Sequence, residues 1–337
     1  MLNPTRSRTQ ADFTHEHAGH CESGVASALL RHSGFDLSES MAFGLSSGLA
    51  FAYLPFVKLS GLPLIAYRTQ PRSLIKGLRK PLGVGFSFET FSGPERGQAR
   101  LDGLLAQGHV VGLQTSVYWL PYFPPEMRFH FNAHNLLVYG KEGDEYLISD
   151  PVFEAPVRCK AEDLNRSRFA KGLLAPEGLL YVVNRPPEQT EVTPAALARA
   201  IAKTCRGMLA PVPIAGVKGM RLLASKFEKL PNTEPGTAGF VGHMVRMQEE
   251  IGTGGAGFRF IYAAFLQEAA EMAGNKAWAD AAERLIEIGD GWRTLALAIA
   301  RMIRGRDPMD TQRLAQLLRG QADAEEALFR ALAKTTA

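Results

Sequence analysis

Cysteine is scarce in this 337-residue chain, with only Cys21, Cys159 and Cys205. So sparse and odd a count is no disulfide framework, and free thiols point to a reducing, cytoplasmic setting. Nucleic acid is not an expected partner. The chain is only mildly basic, with a formal net charge of +4, and it has no run of Lys and Arg interleaved with aromatics. That surplus leaves a weak preference for acidic partners. Long hydrophobic runs are also missing. The stretch "SSGLAFAYLPFVKL" is broken by Ser, Gly, Pro and Lys well short of a membrane span. The opening "MLNPTRSRTQADF" lacks the apolar segment of a signal peptide. The glycine-rich "GTGGAGF" lacks the Lys-Ser/Thr that completes a P-loop.

Apolar residues make up 46% of the chain, enough for a sizeable core, and the length fits two domains. Residues 1–12 read as a flexible tail. Residues 22–32 carry helical spacing through Val25, Leu29 and Leu30 and stop at Gly34. A second helix follows "DLSES", with Ser38 as its cap and Glu39 in its first turn. From about residue 83 the period changes: "LGVGFSFET" alternates as a strand, "GPERGQARLDGLLAQG" reads as a helix, and "HVVGLQTSVYW" is a strand again. Then "HNLLVYG", "EYLISD" and "GLLYVVN" are short apolar runs between turns, the pattern of an antiparallel sheet. The layout is α+β.

After "NRPPEQ" the composition shifts to helices. "VTPAALARAIAKTCRGML" opens with Thr193 as cap and Pro194 at N1, and it places Leu197, Ile201, Cys205 and Met208 on one face. Residues 210–237, rich in Pro and Gly, read as a long connection. Beyond it Phe258, Ile261, Phe265 and Met272 mark one face, and Trp278, Leu285, Trp292, Leu295 and Ile299 mark another. Asp307 and Pro308 head a last helical pair. The expected boundaries are 13–187 for an α+β domain and 188–337 for an all-α domain.

The stretch "THEHAGHCESGVASALL" sets His15, His17, His20 and Cys21 directly ahead of the first helix. Three readings stand: a reactive cysteine, a metal cluster and an ordinary buried thiol. A helix start offers a thiolate partial positive charge and free N–H groups, and a nucleophile also needs a base and a group to orient it. His134 opens the strand "HNLLVYG", and Asp150 ends "EYLISD" sixteen residues later, as neighbours in a hairpin would. Cys21, His134 and Asp150 therefore form a coherent nucleophile, base and orienter. The closely spaced histidines lack the separated pairs of structural zinc sites, so no metal is expected. His20 and His130 read as scaffold. Tyr118, Trp119 and Tyr122 either wall a substrate pocket or pack the sheet. Gly255 and Arg259 in "GTGGAGFRF" are candidates to meet an anionic group, against the plainer reading of a solvated connection.

"HCESGVASALLRHSGFDLSESMAFGLSSGLAFAYLP" and "SVYWLPYFPPEMRFHFNAHNLLVYG" resemble the N-terminal domain of the butirosin biosynthesis protein H family. That family is similar to papain-like cysteine enzymes, including bacteriocin-leader peptidases, in which a Cys, a His and an Asp in a "DP" turn form a triad. The resemblance implies a papain-like domain with Cys21, His134 and Asp150 catalytic. The family's named member moves an acyl group from an acyl carrier protein onto an aminoglycoside amine. The implied activity is therefore acyl transfer in secondary metabolism (antibiotic biosynthesis), from an acyl-thioester donor to a small amine or hydroxyl acceptor. No cofactor is implied beyond the donor's own phosphopantetheine. A thioesterase or peptidase using the same triad, and a non-catalytic binding protein of this fold, are the alternatives. Papain-like enzymes usually carry a Gln about six residues before the Cys, and here that position is His15. His15 or His17 then becomes the candidate oxyanion donor, beside the Cys21 amide. "GTGGAGFRFIYAAFLQEAAEM" resembles the helical domain of unknown function that often follows.

Overall fold

The computed structural model describes residues 8–59, 61–251 and 253–336. In chain order its elements begin β1 (Arg8–Gln10), α1 (Cys21–His32), α2 (Glu39–Leu45), β2 (Leu49–Leu59), β3 (Leu62–Arg68), α3 (Ser73–Gly77), α4 (Arg79–Leu82), β4 (Gly85–Glu89) and α5 (Pro94–Ala106). They continue β5 (Val111–Thr115), β6 (His134–Glu142), β7 (Glu145–Ser149), β8 (Val157–Lys160), α6 (Ala161–Arg168) and β9 (Leu180–Arg185). Further α-helices follow: α7 (Pro194–Met208), α8 (Gly216–Glu228), α9 (Pro235–Val245), α10 (Arg259–Ala273), α11 (Lys276–Ile303) and α12 (Thr311–Ala333). The chain gathers into two compact units, one reaching to Ala42 and resuming at Leu78–Glu191, the other made of Phe43–Gly77 and the chain from Val192 onward.

The first unit is α+β. Its sheet runs β4-β9-β5-β6-β7-β8, with β1 added beside β6, and every pairing is antiparallel. β5 and the first seven residues of β6 are buried along their whole length. Their register pairs Val111 with Val138, Leu113 with Leu136 and Thr115 with His134. Leu101, Leu104 and Leu105 of α5 share one helical face and complete a core with Leu113, Leu136, Val138, Tyr146 and Ile148. Because the apolar face decides which residue points where, His134 lies at the strand's very start, where β6 emerges from that core.

The second unit combines a β-hairpin with helices. The α7 expectation holds: Thr193 caps it by accepting the Ala196 amide, and Leu197, Ile201, Cys205 and Met208 are buried. Trp278, Leu285, Trp292, Leu295 and Ile299 of α11 are buried as their spacing predicts. On α10 Phe265 is buried, but Met272 is exposed. Three expectations differ. Residues 210–237 contain helix α8, whose Gly216 and Gly219 mask its helical character but allow close approach to Met208 and Ile214 carbonyl groups. The last helix is single and capped by Asp310, not Asp307, which instead pairs with Arg301. Finally, residues 43–77, expected inside the 13–187 domain, carry the β2–β3 hairpin and gather with the C-terminal helices. Phe51, Tyr53, Ile65 and Tyr67 point into that unit and are buried, so their alternation reflects a core built by residues far along the chain.

Candidate active site

Cys21 is the first residue of α1. The chain enters the helix through His20, which is extended (φ −139°, ψ 132°), and the His20 ring accepts the Ser23 amide. His20 is thus a cap, as its scaffold reading predicts. The Gly24 amide bonds the His20 carbonyl. A thiol placed here sees the positive end of the helix.

His134 and Asp150 meet across the β6–β7 hairpin, with Nε2 2.7 Å from Oδ2. Both are buried, Asp150 completely. The hairpin brings them together because β6 starts and β7 ends at the same rim of the sheet, and Pro151 prevents the strand from continuing. Burial by itself disfavours a charged imidazole. The Asp150 charge and hydrogen bond, joined by the hydrogen bond and charge of Cys21, outweigh it and push His134 up to about 10. Since Nε2 faces Asp150, Nδ1 is the ring nitrogen available to Cys21. The Phe123 ring packs edge-on against the imidazole, with centroids 5.4 Å apart, and screens it from water.

Asp150 is held on both oxygens. Oδ1 accepts the Val152 amide at 3.1 Å, and Oδ2 accepts the Tyr122 hydroxyl at 2.9 Å as well as His134. Tyr122, read from sequence as a pocket wall or sheet packer, is a partner of the orienting carboxylate. The turn after Asp150 is strapped to the segment before Cys21. His15 Nδ1 lies 2.7 Å from Ser149 Oγ and its Nε2 2.9 Å from the Phe153 carbonyl, while the Ala18 amide donates to the Pro151 carbonyl. Gly24 makes room for this approach: a Cβ there would come within 2.5 Å of Ala18 and 3.1 Å of Pro151. On the other side, the Glu39 carboxylate accepts the Gly19 and His20 amides. Burial raises the Glu39 pKa, opposed by the hydrogen bonds from Gly19, His20 and Ser23 and by the charge of His17.

Several sequence-derived candidates fall elsewhere. His15 is not an oxyanion donor, because both of its ring nitrogens bond the Asp150 turn. His17 is solvent-exposed. The exposed Tyr118 and Trp119 rings do not pack the sheet; Tyr118 stacks on His130 with centroids 4.0 Å apart. In the second unit, Arg259 is not a ligand for an outside anion: it is fully buried, with Nε and Nη2 on the two oxygens of Glu325 at 2.9 and 3.0 Å and its guanidinium over Trp292. The Gly255 amide bonds Thr253 Oγ1, and the Ala256 amide bonds Glu249. Residues 254–258 all have positive φ, so the glycines serve a left-handed turn rather than an anion cradle. Cys159 and Cys205 are buried, and burial pushes each thiol up to about 12. No group of three or more His, Cys, Asp or Glu among the described residues is placed to hold a metal ion.

Residues 162–332 match the model of the Domain of unknown function (DUF4872), which spans half of the chain. The chain belongs to that family. Ahead of it, residues 20–151 match Butirosin biosynthesis protein H, N-terminal, a span that holds Cys21, His134 and Asp150. The two matches follow one another along the chain in that order. Among solved structures it is similar to one described as a C39-like peptidase from Bacillus anthracis, at 13% identity and a TM-score of 0.36, covering 53% of this chain and 99% of that one. Comparison with curated proteins gives no match. No helix among the described residues is long and apolar enough to cross a membrane.

Proposed function

We propose that the protein is a cysteine-dependent acyltransferase in which Cys21 carries the acyl group. The observation that supports this most is the His134–Asp150 pair at 2.7 Å, with Cys21 at a helix start as the imidazole's other partner. The similarity of residues 20–151 to Butirosin biosynthesis protein H, N-terminal, supports a cysteine enzyme with a place in biosynthesis.

The steps follow from these groups. The proton of the Cys21 thiol resides on His134 Nδ1, the charged ring that Asp150 favours, and Sγ attacks the carbonyl carbon of an acyl thioester, most simply one borne by an acyl carrier protein. The Cys21 amide donates to the oxyanion. Collapse breaks the donor's C–S bond, and the departing thiolate takes the proton from His134. An amine or hydroxyl then attacks acyl-Cys21, gives its proton to His134, and leaves as amide or ester while Sγ departs as the thiolate. Asp150 keeps Nε2 protonated and the ring aimed throughout.

The test is intact-mass spectrometry after mixing with an acyl thioester. One acyl group on Cys21, absent from Cys21→Ala, is the expected result, and added amines should discharge it as amides. Release only as free acid would replace transfer by hydrolysis. Failure of Cys21 to acylate with any thioester or peptide substrate would leave a binding protein of this fold.

A further inference from the structure

The six residues ahead of Cys21 are clamped from two directions. One clamp is the Asp150 turn, through His15 and Ala18. The other is a single side chain, Glu39, the first residue of α2. Its Oε2 accepts the Gly19 amide at 2.8 Å, and its Oε1 accepts the His20 amide at 2.7 Å and the Ser23 hydroxyl at 3.0 Å. The same Ser23 hydroxyl lies 2.9 Å from His20 Nδ1. One carboxylate thus fixes two successive peptide planes and, through Ser23, the ring that caps the helix. Cys21 comes next in the chain. With that backbone held, the freedom left to Sγ is rotation about its own Cα–Cβ bond among the staggered rotamers.

We propose that Glu39 is a positioning residue that sets the Cys21 thiol against His134. The proposal rests on the reading of Cys21 as a nucleophile. Two chemical consequences follow. The Gly19 and His20 N–H groups converge on Glu39 and do not face an oxyanion, so the Cys21 amide is the backbone donor remaining at that point. And the role requires a carboxylate: both oxygens accept from N–H groups, an arrangement that an amide of the same shape cannot reproduce, because its NH2 would meet a donor. Glu39 is half-buried, and desolvation raises its pKa against the hydrogen bonds that it accepts.

The test is a double-mutant cycle on the rate of Cys21 alkylation by iodoacetamide, with Glu39→Gln made in the wild-type and His134→Ala backgrounds, below the melting range of all four proteins. A displacement of the order of 1 Å is enough to lose catalytic alignment, so Glu39→Gln should slow alkylation by about tenfold or more where His134 is present and by less than about twofold where it is absent. Hydrogen exchange at the Gly19 and His20 amides should speed up in the same variant. An equal loss in both backgrounds would make Glu39 a structural residue only, and an unchanged wild-type rate would remove its role altogether. If Glu39→Gln fails to fold, Glu39→Asp, which keeps the charge on a shorter stem, goes through the same cycle under the same criteria. Identical rates in wild type and His134→Ala would overturn the nucleophile reading itself, a result distinct from either failure of Glu39.

Discussion

The Tyr122 hydroxyl donates to Asp150 Oδ2 at 2.9 Å, the same oxygen that His134 Nε2 meets at 2.7 Å. The carboxylate cannot rotate toward one partner without stretching the other. Its second oxygen is held by the Val152 amide, so the orienting group of the site is fixed by three donors from three separate positions in the chain.

Tyr122→Phe should therefore leave the site folded but slacker. A hydrogen bond to a charged group contributes about 1.5–3 kcal/mol, and chemical denaturation should show a loss at the lower end of that range, since two donors stay on Asp150. Alkylation of Cys21 should slow, yet by less than in Asp150→Asn, where the ring loses its charged partner. A Tyr122→Phe protein as slow as Asp150→Asn would mean that the hydroxyl does more than hold the carboxylate.

The raised proton affinity of His134 makes stability depend on pH in one direction. Below the ordinary histidine pKa of 6.5, His134 is charged in both folded and unfolded chains, and the stabilisation from Asp150 and Cys21 is fully present. It is lost as pH climbs through the folded value of about 10. The urea midpoint of the wild type should fall relative to that of His134→Gln between pH 6.5 and 10. Parallel curves for the two proteins across that window would contradict the charged pair.

The three thiols should separate in reactivity. Burial holds Cys159 and Cys205 up to about 12, so at pH 8 roughly one part in 10⁴ of each is thiolate. Cys21, at a helix start beside His134, should take up iodoacetamide well ahead of both, as read by peptide mapping of partly labelled protein. Equal labelling of the three in the folded state would count against the site.

Arg259 and Glu325 should behave as one unit. Both are wholly buried, and Glu325 also accepts the Trp292 indole N–H at 2.6 Å. Arg259→Met alone strands a buried carboxylate and should cost about 3–5 kcal/mol, whereas Arg259→Met with Glu325→Leu should recover a good part of it. Urea unfolding of the single and double variants measures the difference. A single variant costing under about 1 kcal/mol would show that the pair is dispensable.

Local pattern carried a large share of this structure. The β6–β7 hairpin was legible because apolar runs and a turn sit together in sequence, and with it came the sixteen-residue spacing that joins His134 to Asp150. The helix start at Cys21 was legible for the same reason. What sequence spacing missed were the roles of side chains whose partners lie far away. His15 looked like an oxyanion donor by position, yet its partners are 134 and 138 residues downstream. Glu39 read as a dipole-favoured acid of a first turn, and nothing local says that its oxygens meet the two amides before Cys21. Arg259 read as a free cation because its neutralising carboxylate comes 66 residues later. The β2–β3 hairpin was missed because its burial is completed by helices that begin at Pro194.

That last arrangement bears on how the chain is made. Phe51, Tyr53, Ile65 and Tyr67 leave the ribosome early, but the Trp292 ring against which Phe51 and Tyr67 pack is encoded near the other end. The whole of Leu78–Glu191 and most of the C-terminal helices are synthesised in between, a delay on the order of 10–45 seconds at about 5–20 residues per second. For that time an apolar hairpin waits without its core. Cutting the chain after the first unit would make that exposure permanent, so a fragment ending near residue 187 should aggregate where the full-length protein does not.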